Sequence, residues 1–223
     1  MTIDWNLWET RFENKITDAG FGNDPAHDLA HFRRVVKTAR TLAAEENARL
    51  EVVIPAAWLH DLVNVPKNDP RRSQASRLSA QAALTYLKES GYTADDALLA
   101  AIGHAIEAHS YSAQIEPLTL EARIVQDADR LDGLGAIGIA RCFAVAGLLG
   151  RPFYDLTDPF ATDGRGLDDQ RSTVDHFYVK LFKTAKTLTT RAGREEGARR
   201  AERMQEFLRE LAREIGVEAR ELA

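Results

Sequence analysis

Apolar residues recur every three to four positions along most of the chain, and no segment alternates with the period of two that a half-buried strand requires. Trp5, Trp8, Phe12 and Ile16 predict a helix over residues 4–20, closed by Gly20 and Gly22. Asp24-Pro25 reads as the N-cap and first residue of a second helix reaching about Glu46. Its buried stripe would be Leu29, Phe32, Val35, Val36, Ala39, Leu42 and Ala43. A third, largely apolar helix covers 51–63, and the Asn, Asp and Pro content of 64–72 predicts a loop. Further helices are expected over 73–89, from a capping box at Thr93 to His109, over 120–132 behind Thr119, and over 136–149, 169–189 and 191–215. Residues 150–168 hold four Asp, three Gly and two Pro, which predicts an irregular loop. No repeat recurs and no linker composition divides the chain. The expectation is an all-α fold, a single-domain helical bundle over 1–223.

Composition narrows the function classes. The chain has 223 residues, 44% hydrophobic and 28% charged, enough for a sizeable core. A net charge of −5 gives no reason to expect nucleic acid as a partner. The Arg/Glu alternation of 191–215 reads as a solvated helix face. The single cysteine, Cys142, excludes an internal disulfide and a Cys-rich zinc site. The start of the chain shows no signal-peptide pattern, and the apolar stretch 134–150 is short and broken by Arg141 and glycines. These features predict a cytoplasmic protein without a membrane partner. Nothing in the sequence sets an oligomeric state.

Three stretches carry metal-type side chains. His27-Asp28 and His31 stand near the start of the second helix, the histidines four apart on one face. His60-Asp61 ends the apolar run of the third. Asp127, Asp129 and Asp132 cluster on the helix over 120–132. Taken alone, His60-Asp61 reads first as a histidine bonded to a backbone carbonyl beside an aspartate capping a turn, because buried polar groups usually just find hydrogen bonds. Helices two and three should pack antiparallel. At 1.5 Å per residue His31 lies roughly 22 Å and His60 roughly 14 Å from their turn, so spacing alone does not force them to meet. Nor does the helical wheel choose among the aspartates, since it places Asp127 nearer the apolar stripe than Asp129.

The order His31-x-x-Arg34-Val35, His60-Asp61, Ala128-Asp129 resembles the HD-domain superfamily of metal-dependent phosphohydrolases. Asp127-Ala-Asp-Arg-Leu-Asp132 followed by Gly135-Ala-Ile-Gly-Ile-Ala-Arg141 is similar to a subgroup of small single-domain bacterial members. The resemblance covers roughly 25–145, which would be the HD core, with the helices over 169–215 packing on it. It implies a metal held by His31, His60, Asp61 and Asp129. Two imidazoles with two carboxylates suit Mn best, with Fe, Co, Ni and Zn as alternatives, rather than an all-oxygen Mg or Ca cage. Asp127 would then bond a ligand histidine, Arg123 or Arg130.

Phosphate groups need cations, and Lys67, Arg71 and Arg130 are the candidates for substrate binding, with Lys67 foremost. Arg34 reads as an ion-pairing residue and His27 as one that orients the ligands. Several HD nucleotidases carry a glutamate three residues after the His-Asp pair, where this chain has Asn64. Proton transfer therefore falls to Asp61, His104 or His109. The five-residue spacing of His104 and His109 argues for one metal, and His176 reads as structural.

These features predict a nucleotide phosphohydrolase that releases pyrophosphate from a nucleoside triphosphate. A phosphomonoesterase or phosphodiesterase on the same site is the enzymatic alternative. A non-catalytic helical module that binds metal or nucleotide is the alternative of another class.

Overall fold

The computed structural model describes residues 3–20, 28–65, 69–93 and 95–222. All regular structure among them is helical. The chain divides into two compact units, Met1–Asp129 with Thr189–Gly193, and Arg130–Leu188 with Arg194–Ala223.

The first unit contains α1 (Trp5–Asp18), α2 (Leu29–Glu46), α3 (Leu50–Leu59), α4 (Ala75–Glu89), α5 (Asp96–His109) and most of α6 (Leu120–Asp132). Helix α3 is apolar on every side, and each residue from Val52 to Leu59 is buried. A helix without a polar face has to lie inside. Accordingly α1, α2, α4 and α5 all pack against it. Phe12, Phe32, Ile54, Leu87, Ile102 and Ile106 fill the space between them and are fully buried.

Helix ends differ from the sequence expectation for local reasons. Helix α2 starts at Leu29, because the Asp28 side chain accepts the His31 N–H at 2.8 Å. The expected cap at Asp24-Pro25 lies outside the described residues. Within α2 the predicted stripe is buried except for Leu29, which is half-buried, and His31 joins it. Helix α5 is capped by Asp95, which accepts the N–H groups of Ala97 and Leu98, whereas Thr93 Oγ1 accepts only the Asp95 N–H. Helix α3 ends at Leu59 rather than 63, since the ring of the next residue takes one of its last carbonyls.

The second unit contains α7 (Gly135–Leu148), α8 (Thr173–His176), α9 (Phe182–Ala185) and most of α10 (Arg191–Ile215). The continuous helix expected over 169–189 is broken by a π-helical segment, Phe177–Leu181, linking α8 to α9. Phe177, in that segment, is buried and stacks on Phe207 at 6.2 Å between centroids, with Phe143 edge-on to Phe207. The irregular loop before α8 is fastened by Arg165, which donates to Asp175 at 2.6 and 3.0 Å. No single helix among the described residues is long and apolar enough to cross a membrane.

Candidate metal centre

Two buried histidines are presented by the same local device. Each stands at or just past the C-terminus of a helix, where the last four carbonyls lack intrahelical donors. His60 Nδ1–H donates to the Ala57 carbonyl at 2.9 Å, and His109 Nδ1–H donates to the Ile106 carbonyl at 2.6 Å. A carbonyl can only accept, so the proton sits on Nδ1, and the neutral ring keeps an open lone pair on Nε2. His31 comes from the first turn of α2, and its N–H is the one held by Asp28.

These rings converge with two carboxylates. The Nε2 atoms of His31 and His60 lie 3.3 Å apart. Asp129 Oδ1 is 3.7 Å from His31 Nε2 and 3.8 Å from His60 Nε2. Asp61 Oδ2 is 3.8 Å from His60 Nε2, and its Oδ1 is 3.4 Å from His109 Nε2. Two overlapping groups result, His31–His60–Asp129 and His60–Asp61–His109, each with its ligand atoms within 4.8 Å of one another. All five residues belong to the first unit.

The donor set fits a cation. Ligands about 2.0–2.2 Å from a metal lie about 3–3.6 Å from one another in tetrahedral or octahedral arrangement. The observed separations are close to that range, and most are too long for hydrogen bonds between the groups themselves. His31, His60 and His109 are buried, while Asp61 and Asp129 remain 24% and 30% exposed, so one side of the cluster opens to solvent. Burial is the main force on His60, lowering its pKa to about 4 and keeping it neutral, the state that ligates. For His109 burial acts in the same direction but is outweighed by the hydrogen bond and charge of Asp61, and its pKa is raised.

His104 faces away from the cluster, since five residues along α5 turn it about 140° from His109. Its Nε2 accepts the Leu118 N–H at 3.0 Å. Arg71 forms a two-pronged pair with Asp69, at 3.1 and 2.9 Å, and is largely exposed. Arg130 donates to the carbonyl and hydroxyl of Thr187. Each of the three thus has a local partner that the sequence did not reveal. Lys67 and His27 lie outside the described residues, and Asn64 is exposed. His176 is held by Asp169 at 2.9 Å.

Asp127 has a role unlike any expected for it. It is fully buried and accepts the N–H groups of Thr189 and Thr190 and the Thr190 hydroxyl, at 2.7–3.1 Å. It therefore anchors the turn that leads into α10. A Thr-Thr pair just before a helix was the available signal, because such residues expose N–H groups in need of an acceptor.

An HD domain is recognised over residues 28–134. Over 215 residues the chain is 33% identical to the uncharacterized protein YpgQ of Bacillus subtilis, covering 94% of this chain and 93% of that one. The chain belongs to the HD-domain superfamily. A crystal structure of Bacillus subtilis YpgQ in complex with ADP is 31% identical, with a TM-score of 0.69, over 94% of this chain and 93% of that one. An HD-superfamily hydrolase from Bacillus thuringiensis is 29% identical, with a TM-score of 0.70, over 93% and 98% of the two chains. The motif residues His31, His60-Asp61 and Asp129 all fall inside the recognised domain.

Proposed function

We propose that the chain is a metal-dependent phosphohydrolase acting on nucleotides, converting a nucleoside triphosphate to the monophosphate and pyrophosphate with one divalent transition metal, manganese foremost. The observation that carries this reading is the pair of overlapping groups His31–His60–Asp129 and His60–Asp61–His109, which share the His60 ring and have carboxylates open to solvent. The hydrolase relative from Bacillus thuringiensis supports the reaction class, and the ADP complex of YpgQ supports a nucleotide as substrate.

A divalent metal held by these residues would supply Lewis-acid chemistry, favouring deprotonation of water and polarising a phosphoryl oxygen. The protein residues divide the remaining work. His31, His60 and Asp129, with Asp61, would hold the ion, and Asp61 also faces His60 and His109. Asn64 cannot transfer protons, so Asp61 and His109 are the groups that take the proton from water and return one to the leaving oxygen. The water oxygen joins the α-phosphorus, and the bond from that phosphorus to the α–β bridging oxygen breaks. Lys67, six residues after Asp61 in the sequence, supplies charge for the outer phosphates.

The test is a panel of nucleoside triphosphates incubated with manganese and scored separately for phosphate and pyrophosphate. Pyrophosphate with monophosphate is expected. Stepwise appearance of the diphosphate would replace this reading with a phosphomonoesterase, and no turnover across the panel would replace it with a binding module.

A further inference from the structure

Residues 149–152, 154–157 and 170–171, all in the second unit, line a cavity of about 610 Å³ that contains none of the groups of the metal centre. That volume lies in the range of small-molecule sites. Arg151 and Arg171 line it, and neither guanidinium makes a hydrogen bond or an ion pair within 4 Å among the described residues, the charge of Arg171 acting on Asp155 only at longer range. The Nε atom of Arg151 is buried without an acceptor. Buried charged donors are costly when unbonded. Other arginines of this unit are matched: Arg141 by Asp132, Arg165 by Asp175 and Arg200 by Glu196.

The rest of the lining is consistent with an anionic ligand carrying a flat group. Asp155 is the acidic residue of the lining, and its Oδ1 already accepts the N–H groups of Thr157 and Asp158. Tyr154 is half-buried, and Leu156 is 91% exposed at the rim beside Leu149, which is 64% exposed and also lines the cavity. Positive charge extends beyond the lining. Burial first, and then the charges of Lys180 and Arg151, lower the proton affinity of His176 against the pull of Asp169.

We propose that this cavity is a second nucleotide-binding site, in which Arg151 and Arg171 hold phosphate oxygens and Tyr154 with Leu156 covers the base. The guanidinium fork matches phosphate oxygens in pairs, and a tyrosine ring offers a face for stacking.

The test is calorimetric titration of the full chain in excess EDTA, so that no metal bridges a phosphate to the metal centre. The probes are AMP, ribose 5-phosphate and inorganic phosphate. AMP is expected to bind, and to bind at least tenfold more tightly than either of the others. Arg151→Gln and Arg171→Gln should each weaken AMP roughly tenfold, the scale of a lost charged hydrogen bond. Arg151→Lys, which keeps the charge but not the fork, should fall between. Circular dichroism verifies that each variant is folded. Asp129→Asn should leave AMP binding in EDTA unchanged. Absence of AMP binding, arginine variants that bind like the parent, ribose 5-phosphate binding as well as AMP, or loss of binding in Asp129→Asn would each overturn the proposal. No readout here depends on hydrolysis, so this site and the proposed reaction fail or stand separately.

Discussion

Asp61 stands between His60 and His109, one carboxylate oxygen toward each Nε2, and both rings are anchored through Nδ1 to the carbonyl three residues earlier. The two rings meet edge to face, with centroids 4.8 Å apart and planes at 82°. Each lone pair is therefore aimed by its own helix end. His109→Ala should lower turnover at least tenfold, within the range seen when groups supporting a metal ligand are removed. His104→Ala should retain its metal, because that ring bonds the Leu118 N–H instead. Metal content of the two purified variants, read beside their turnover, checks the assignment. Equal loss in both would refute it.

Much of this arrangement is legible in the sequence, but for uneven reasons. The apolar stripe of α2 and the all-round apolarity of α3 identify helices because burial dictates periodicity. The His-Asp pair was readable either as a metal site or as a histidine bonded to a carbonyl, and the two are compatible: Nδ1 donates to the Ala57 carbonyl, which leaves Nε2 as a donor atom that could hold an ion. What periodicity could not show was the partner of a long polar side chain. Arg71 turned to Asp69, Arg130 to Thr187 and His104 to Leu118, and no rule of spacing announces such contacts. The break at 177–181 was hidden too, because a π-turn alters register without altering composition.

Glycines at two sites make a stability prediction. A Cβ on Gly138 would collide with the Gly133 carbonyl oxygen, a backbone atom that cannot swing aside. One on Gly193 would meet the Asp127 carboxylate and the Thr190 hydroxyl, which hold the turn before α10. Gly138→Ala should cost about 1–3 kcal/mol, as overpacking does. Gly193→Ala should cost at least as much, because it also displaces a buried hydrogen-bonded carboxylate. Urea unfolding at matched protein concentration measures both, and midpoints equal to the parent would contradict the close packing.

Cys142 offers a prediction about pH. Burial is the largest influence on its thiol, raising the pKa from 9.0 to about 11 despite the charges of Arg151 and Lys180. A group whose folded pKa is raised holds its proton more tightly when folded. Its contribution to stability is then complete below pH 9.0 and is lost as pH rises through about 11. Alkylation by iodoacetamide, which needs the thiolate, should be at least tenfold slower at pH 8 for the folded chain than for the chain unfolded in urea. Comparable rates in the two states would show the thiol to be exposed.

Asp127 and Asp129 are two residues apart on one helix and do different work. Asp127 is enclosed and holds Thr189 and Thr190, while Asp129 faces His31 and His60. The helical wheel, which set Asp127 nearer the apolar stripe, was right about burial. The superfamily motif pointed to the aspartate that faces the histidines. Burial and ligation are separate questions here, because a carboxylate that must meet an ion and a substrate keeps some exposure. Asp129→Asn should therefore lose metal with little change in apo-protein stability, since an amide is a poor ligand but fills the same space. Asp127→Asn should show the converse. One of its oxygens becomes an NH2 facing N–H donors, which leaves buried donors unpaired at a cost of about 1–3 kcal/mol, while the ion is retained. Metal content by mass spectrometry and apo-protein urea midpoints separate the two variants. Metal loss in Asp127→Asn with retention in Asp129→Asn would reverse the assignment.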